Sequence, residues 1–219
     1  MSSCDCPGGL PGGATPKMVE RKIRSYREGR LEPTTKILIE AIAGRGAVGL
    51  TVLDVGGGVG AVHHELLRSG AAHAVDVDGT PAYLAAAQEE AERHGHADRV
   101  DYHLGDVVEL ADRLETVDVV ALDRVVCCYE DFEALLDVAA GHARRLVGMV
   151  YPRDTWWMRA GFFRLLHAYE DLVDGKSVWF LHPARAMDAN LRRHGFEPRF
   201  DAVKGIWRVQ LYERPAAQA

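Results

Sequence analysis

Residues 52–60, VLDVGGGVG, place a carboxylate at the end of an apolar run and four glycines in the five positions that follow Val55. Glycine has no Cβ and turns freely into left-handed backbone, so such a loop lets a ligand approach the main chain closely. Two spacings are satisfied at once. Gly56, Gly58 and Ala61 form G-x-G-x-x-A, and Asp76 follows about twenty residues on, where a dinucleotide-binding loop keeps its ribose carboxylate. Asp54, Gly56, Gly58 and Gly60 also form D-x-G-x-G-x-G, in which the carboxylate precedes the glycines and can meet a cationic group such as an ammonium. The loop alone leaves both readings open.

Further groups capable of chemistry fall later in the chain. Tyr129 and Tyr151 stand at or just beyond the ends of apolar runs, where open α/β sheets bind ligands. Arg153 is a forked donor suited to a substrate carboxylate, and Trp156 and Trp157 could wall an apolar pocket. His63 and His64 follow the glycine loop directly, and His182 precedes Pro183; each is a candidate base. Cys127 and Cys128 read as small apolar residues, one of them lining a pocket without reacting. Cys4 and Cys6 lack a second pair at zinc-finger spacing, so no metal site is expected.

The elements that must position these groups follow from periodicity. Residues 1–16 are rich in Gly, Pro and Ser and read as a flexible tail, followed by one domain over 17–219. Helical patterns run from Pro16 to a stop at Gly29 and from Pro33 to Ala43, within an N-terminal helical region at 17–44. Strands are expected at 51–55, 72–77, 100–104, 116–122 and 143–151, with helices HHELLRSG, PAYLAAAQEEAERHG and DFEALLDVAAG between them. Near-continuous apolar strands alternating with helices indicate a parallel sheet covered on both faces. Residues 152–194 hold substrate-side helices, including the amphipathic TWWMRAGFFRLLHAYEDL and ARAMDANLRRHG. FEPRFDAV and IWRVQLYER, joined through Lys204-Gly205, read as an antiparallel hairpin. The expected fold class is α/β, a Rossmann-like seven-stranded, mostly parallel sheet with helices on both faces and a C-terminal antiparallel hairpin.

Composition narrows the function. The 219 residues are 47% apolar and 26% charged, with a net charge of −6 and dispersed basic residues, which argues against a nucleic-acid partner. No apolar run nears the roughly 20 residues of a membrane span, and the N-terminus lacks the basic start and apolar middle of a secretory signal. A cytoplasmic protein acting on a small molecule is the expectation.

With these residues in place, the sequence resembles the class I S-adenosylmethionine-dependent methyltransferases over roughly residues 35 to 213. VLDVGGGVG is similar to their glycine loop, AVDVD to their acidic second strand, and Gly105-Asp106 to the Gly-Asp after their third. The resemblance implies S-adenosylmethionine as cofactor. Asp54, Gly56, Gly57, Gly58 and Gly60 would hold its methionine part, Asp76 and Val77 its ribose, and Asp106 and Val107 its adenine. Asp123 and Arg124 would line the floor beneath the methionine. The segment after the fourth strand lacks an Asn/Asp/Ser-Pro-Pro-aromatic motif and a Pro-Cys nucleophile. The single asparagine, Asn190, leaves no Asp-Asn metal pair, so nucleic-acid and catechol-type enzymes are disfavoured. That segment is locally similar to the magnesium-protoporphyrin O-methyltransferase group but has Cys128 where the group has His and Glu130 where it has Pro. The resulting candidates are Tyr26, Tyr129 and His64 for catalysis and Cys128, Arg153, Trp156 and Trp157 for the acceptor. The alternatives are a non-catalytic binder of the cofactor and an NAD-dependent oxidoreductase.

Overall fold

The computed structural model describes residues 15–158 and 180–215. The N-terminal tail with Cys4 and Cys6, and most of the expected amphipathic stretch after Trp156, lie outside the described residues. Seven strands, β1 (Thr51–Val55), β2 (His73–Asp78), β3 (Val100–Leu104), β4 (Val117–Asp123), β5 (Ala143–Pro152), β6 (Glu197–Lys204) and β7 (Trp207–Glu213), form one sheet in the order β3-β2-β1-β4-β5-β7-β6. The first five are parallel, and β7 runs antiparallel to both β5 and β6.

Helices α1 (Pro16–Arg27), α2 (Pro33–Ala43), α3 (Ala61–Arg68), α4 (Pro81–His94), α5 (Val107–Leu110), α6 (Phe132–His142) and α7 (Ala184–Arg193) complete the described regular structure with short 3-10 turns. β1 and β4 are apolar at most positions, on both faces, because both faces of the sheet are covered. One buried cluster gathers Leu53, Val120, Leu122, Val147 and Met149 with Leu135 and Leu136 of α6 and Leu191 of α7. The other gathers Val52, Val119, Leu146 and Val209 with Leu38 and Ile42 of α2 and Leu66 of α3.

The α1 helix stands apart from both. It packs in a separate small cluster in which Val19 and Tyr26 meet Val59, Tyr83 and Ala86. Two polar ties hold it there: the Tyr26 hydroxyl donates to Glu65 at 3.0 Å, and the Arg27 guanidinium donates to Glu90, a buried carboxylate, at 2.7 Å. The order of the parallel strands reverses between β1 and β4, and a crevice opens there at the carboxyl edge of the sheet. α1 roofs that crevice.

Candidate functional site

A cavity of about 410 Å³ fills the crevice, within the roughly 300–1,000 Å³ range of small-ligand sites. Its floor is the loop after β1, with Asp54, Gly56, Gly57 and Gly58. Asp78 and Gly79 close one side, Asp123, Arg124 and Val125 the other, and Arg21, Lys22 and Tyr26 of α1 the roof.

The loop is shaped by contacts that leave no room for side chains. A Cβ on Gly57 would lie 2.5 Å from Asp76 Oδ1 and 3.0 Å from Asp54 Oδ2. Gly60, at φ +79°, caps α3, and a Cβ there would lie 2.4 Å from His64 Nε2 and 2.6 Å from His63 Nε2. The two histidines therefore occupy the space behind the loop, fully buried. His63 Nδ1 donates to Asp54 Oδ2 at 2.9 Å, which orients the carboxylate. Asp54 Oδ1 is buried and has no hydrogen-bond partner among the described residues.

Asp123, at the last position of β4, repeats that arrangement. Its Oδ2 accepts a short 2.5 Å bond from the Thr35 hydroxyl, while the buried Oδ1 accepts no hydrogen bond among the described residues and lies 4.0 Å from Arg124 Nε. Burial pushes its carboxyl above the ordinary range, against the Thr35 bond and the Arg124 charge. Arg124 follows with φ +63°, the left-handed region that non-glycine residues enter at a cost of roughly 1–3 kcal/mol. Its guanidinium donates to the Thr34 hydroxyl at 2.8 Å and lies 5.1 Å from the Trp207 ring centroid. Those contacts secure the strained turn.

The structure separates two aspartates that sequence spacing confuses. Asp76 pairs in register with Asp54 inside the sheet, is fully buried beneath Gly57, and does not line the cavity. Burial above all, then the charges of Asp54 and Asp78, raises its carboxyl well above the usual range. Asp78 occupies the carboxyl edge of β2 and lines the cavity. Its oxygens accept from the backbone N–H of Gly58 at 3.0 Å and of Thr80 at 2.7 Å, so it fixes the loop as well as facing the ligand. Of the two, Asp78 and not the expected Asp76 faces the cavity. Val77 is likewise core and not cavity wall.

Other expected residues also move. His64 lies behind Gly60, with Nδ1 2.9 Å from His96 Nε2, and burial depresses its pKa to about 2. It does not line the cavity. The Tyr26 hydroxyl lines the cavity but is committed to Glu65, and burial raises its pKa strongly. Tyr26→Phe is expected to lower stability by about 1 kcal/mol through loss of that bond, as read by denaturant unfolding. The Tyr129 hydroxyl donates to Asp106 Oδ1 at 2.5 Å, which also caps α5 through the Val108 N–H at 2.8 Å. Tyr129 thus positions Asp106 and is not at the cavity; Asp106 and the buried Val107 lie beyond its edge.

Cys127 and Cys128 line the cavity. Arg153 joins the β6–β7 turn through its N–H to Ile206 O, Trp156 is 80% exposed and Trp157 42%, and none of these three lines it. Tyr151 is core, bonded to Gln210, and His182 braces the Tyr129 carbonyl at 2.7 Å. Sequence reasoning missed Asp78, Thr35, Lys22 and Tyr83. The buried Tyr83 hydroxyl has no partner and lines the cavity. Strand-end position would have found Asp78; nothing local marks the others.

Among the described residues, carboxylate oxygens of Asp54, Asp76 and Asp123 near the glycine loop accept no hydrogen bond, and such a concentration of acceptors fits a ligand with an ammonium and a sulfonium better than a pyrophosphate. Residues 52–146 match the family described as a methyltransferase domain. Ubiquinone biosynthesis O-methyltransferase of Azorhizobium caulinodans is 33% identical over 179 residues, which cover 74% of this chain and 66% of that protein. The ribosomal protein L11 methyltransferase of Salmonella arizonae is 38% identical over 72 residues, 33% of this chain and 25% of the relative. The chain therefore spans about two thirds of the first relative and a quarter of the second. Among solved structures, magnesium protoporphyrin IX methyltransferase from Synechocystis with bound S-adenosylhomocysteine superposes with a TM-score of 0.68 at 19% identity, covering 93% of this chain and 90% of that one. An O-methyltransferase family protein from Burkholderia thailandensis gives 0.71 at 17% identity, covering 91% and 59%. The fold is common ground with these structures, and residues 52–146 belong to the methyltransferase domain family that matches them.

Proposed function

We propose that the chain transfers the methyl group of S-adenosylmethionine to an oxygen of a small, partly apolar acceptor. The observation that carries the reading is a pair of buried oxygens beside the glycine loop that accept no hydrogen bond among the described residues, Asp54 Oδ1 and Asp123 Oδ1, the latter in a long 4.0 Å ion pair with Arg124 Nε. An uncompensated buried polar atom is costly, and a cationic ligand supplies what both lack. In this reading Asp54 and Gly56–Gly58 hold the methionine part, Asp78 the ribose, and Asp106, oriented by Tyr129, the adenine amino group. Val59, Tyr83 and Val125 supply the apolar walls. The bound cofactor brings an already activated methyl group, so the chain's task is to align the acceptor and exclude water. Oxygen as the acceptor atom is supported by the O-methyltransferase names of the ubiquinone-pathway and Burkholderia relatives. A small acceptor suits a cavity of about 410 Å³ under α1, and a single domain over 17–219 in the cytoplasm is part of the same proposal. No helix among the described residues is long and apolar enough to cross a membrane.

Titration calorimetry with S-adenosylmethionine, S-adenosylhomocysteine and NAD tests the cofactor assignment; NAD binding without a response to the other two would overturn it. Release of S-adenosylhomocysteine is then measured across hydroxylated aromatic acceptors. Binding with no turnover on any of them would favour a non-catalytic cofactor binder.

A further inference from the structure

Most titratable groups around the cavity are committed elsewhere. Tyr26 donates to Glu65, Asp54 accepts from His63, Asp78 from two backbone amides, Asp123 from Thr35, and Arg124 donates to Thr34 and Glu32. Lys22 differs: it projects from the roof into the cavity and makes no hydrogen bond or ion pair among the described residues. The charges acting on it are Arg124 and Asp123 at the end of β4, Glu32 at the entry to α2, and Arg21 on its own helix. It thus stands over the β4 edge, while Asp78, the proposed ribose ligand, closes the other side. Burial first, then Arg124, lowers its pKa, against the opposing pull of Asp123 and Glu32. A desolvated lysine beside a second cation is a competent general base.

We propose that Lys22 is the catalytic base of the reaction, taking the proton of an acceptor hydroxyl. This inference rests on the methyl-transfer reading and deepens it. As the acceptor oxygen bonds to the methyl carbon, the carbon–sulfur pair stays on sulfur, which becomes a neutral thioether. The hydroxyl proton passes to the neutral amine of Lys22, which becomes an ammonium and afterwards returns the proton to water. The acceptor class is a hydroxyl of phenol-like acidity, about pKa 10, near enough to the amine for efficient transfer.

The experiment uses the full chain labelled with 13C-lysine, with and without S-adenosylhomocysteine, together with Lys22→Met and Lys22→Arg. The chain holds five lysines, so each resonance can be assigned by substitution. Lys22 is expected to titrate below the ordinary lysine range in the loaded protein. On a phenolic acceptor that the wild type methylates, Lys22→Met should lower kcat about 100-fold or more and flatten its rise with pH. Lys22→Arg should be no better, and affinity for S-adenosylhomocysteine should stay within about threefold. Titration of Lys22 in the ordinary range would overturn the proposal. So would a tenfold or larger loss of S-adenosylhomocysteine affinity in Lys22→Met, which would make the residue an anchor for the cofactor carboxylate. Failure of the wild type to bind S-adenosylhomocysteine would sink the methyl-transfer reading instead, and the lysine titration separates the two failures.

Discussion

Asp78→Ala is expected to raise the dissociation constant of S-adenosylhomocysteine about 10- to 100-fold, the value of one or two hydrogen bonds from ribose hydroxyls to a charged acceptor. Asp76→Asn is expected to change it by less than about threefold, because Asp76 lies beneath Gly57 and away from the cavity. Calorimetry on both variants decides the matter. Asp78 also holds the Gly58 and Thr80 amides, so thermal melts of Asp78→Asn, which keeps one acceptor oxygen, separate loop distortion from lost ligand contact. The reverse ranking would put the ribose at Asp76 and refute the site as drawn. Asp76→Asn carries a second signature. Its carboxyl pKa is raised in the folded state, so its favourable contribution is present at low pH and is lost as pH rises through that raised value. The asparagine variant should therefore gain stability relative to wild type as the pH rises.

Acid should unfold the protein from behind the glycine loop. The folded pKa of His64, about 2, lies below the roughly 6.5 of an unfolded histidine. Its contribution is complete above pH 6.5 and is lost progressively as pH falls toward 2, because the unfolded chain takes the proton first. Between pH 7 and pH 5 the loss is about 2 kcal/mol from His64 alone, or about 4–8 °C in Tm for a chain of this size. His96, depressed to about 4 by burial and by Arg99, adds to it in the same direction. Melts of the wild type and of His64→Gln across pH 5–8 check this: the variant's dependence should be shallower, and parallel curves would defeat the account.

Much of the fold is legible because strands buried on both faces must be apolar throughout. β1 and β3 fall on the expected residues, 51–55 and 100–104, and α2 on 33–43. The site was legible only where the backbone itself is the signal. Four glycines and a preceding aspartate mark the floor: a side chain at Gly57 would collide with Asp76 and Asp54 and one at Gly60 with His63 and His64, while Gly56 and Gly58 hold left-handed backbone. Side-chain assignments depend on where a strand stops. β2 was expected at 72–77 and runs from His73 to Asp78, so a shift of one residue transfers the edge position to Asp78 and leaves Asp76 two residues inside the sheet. Histidines after the loop look reactive in sequence, but Gly60 lets them pack inward. Tyr129 and Lys22 gain their places from long-range neighbours, Asp106 and the β4 edge, that no local pattern reports.

The separate packing of α1 has a kinetic consequence. The ligand's floor belongs to the main core, but its roof rests on a small satellite cluster, one hydrogen bond to Glu65 and the ion pairs of Arg27. Among the described residues, lifting that helix breaks chiefly those contacts and leaves the sheet whole, so it draws on a fraction of the global stability. Residence time of the product is then a property of twelve residues, adjustable by substitutions that hardly change the melting temperature, and it sets the ceiling on turnover wherever release is slower than chemistry.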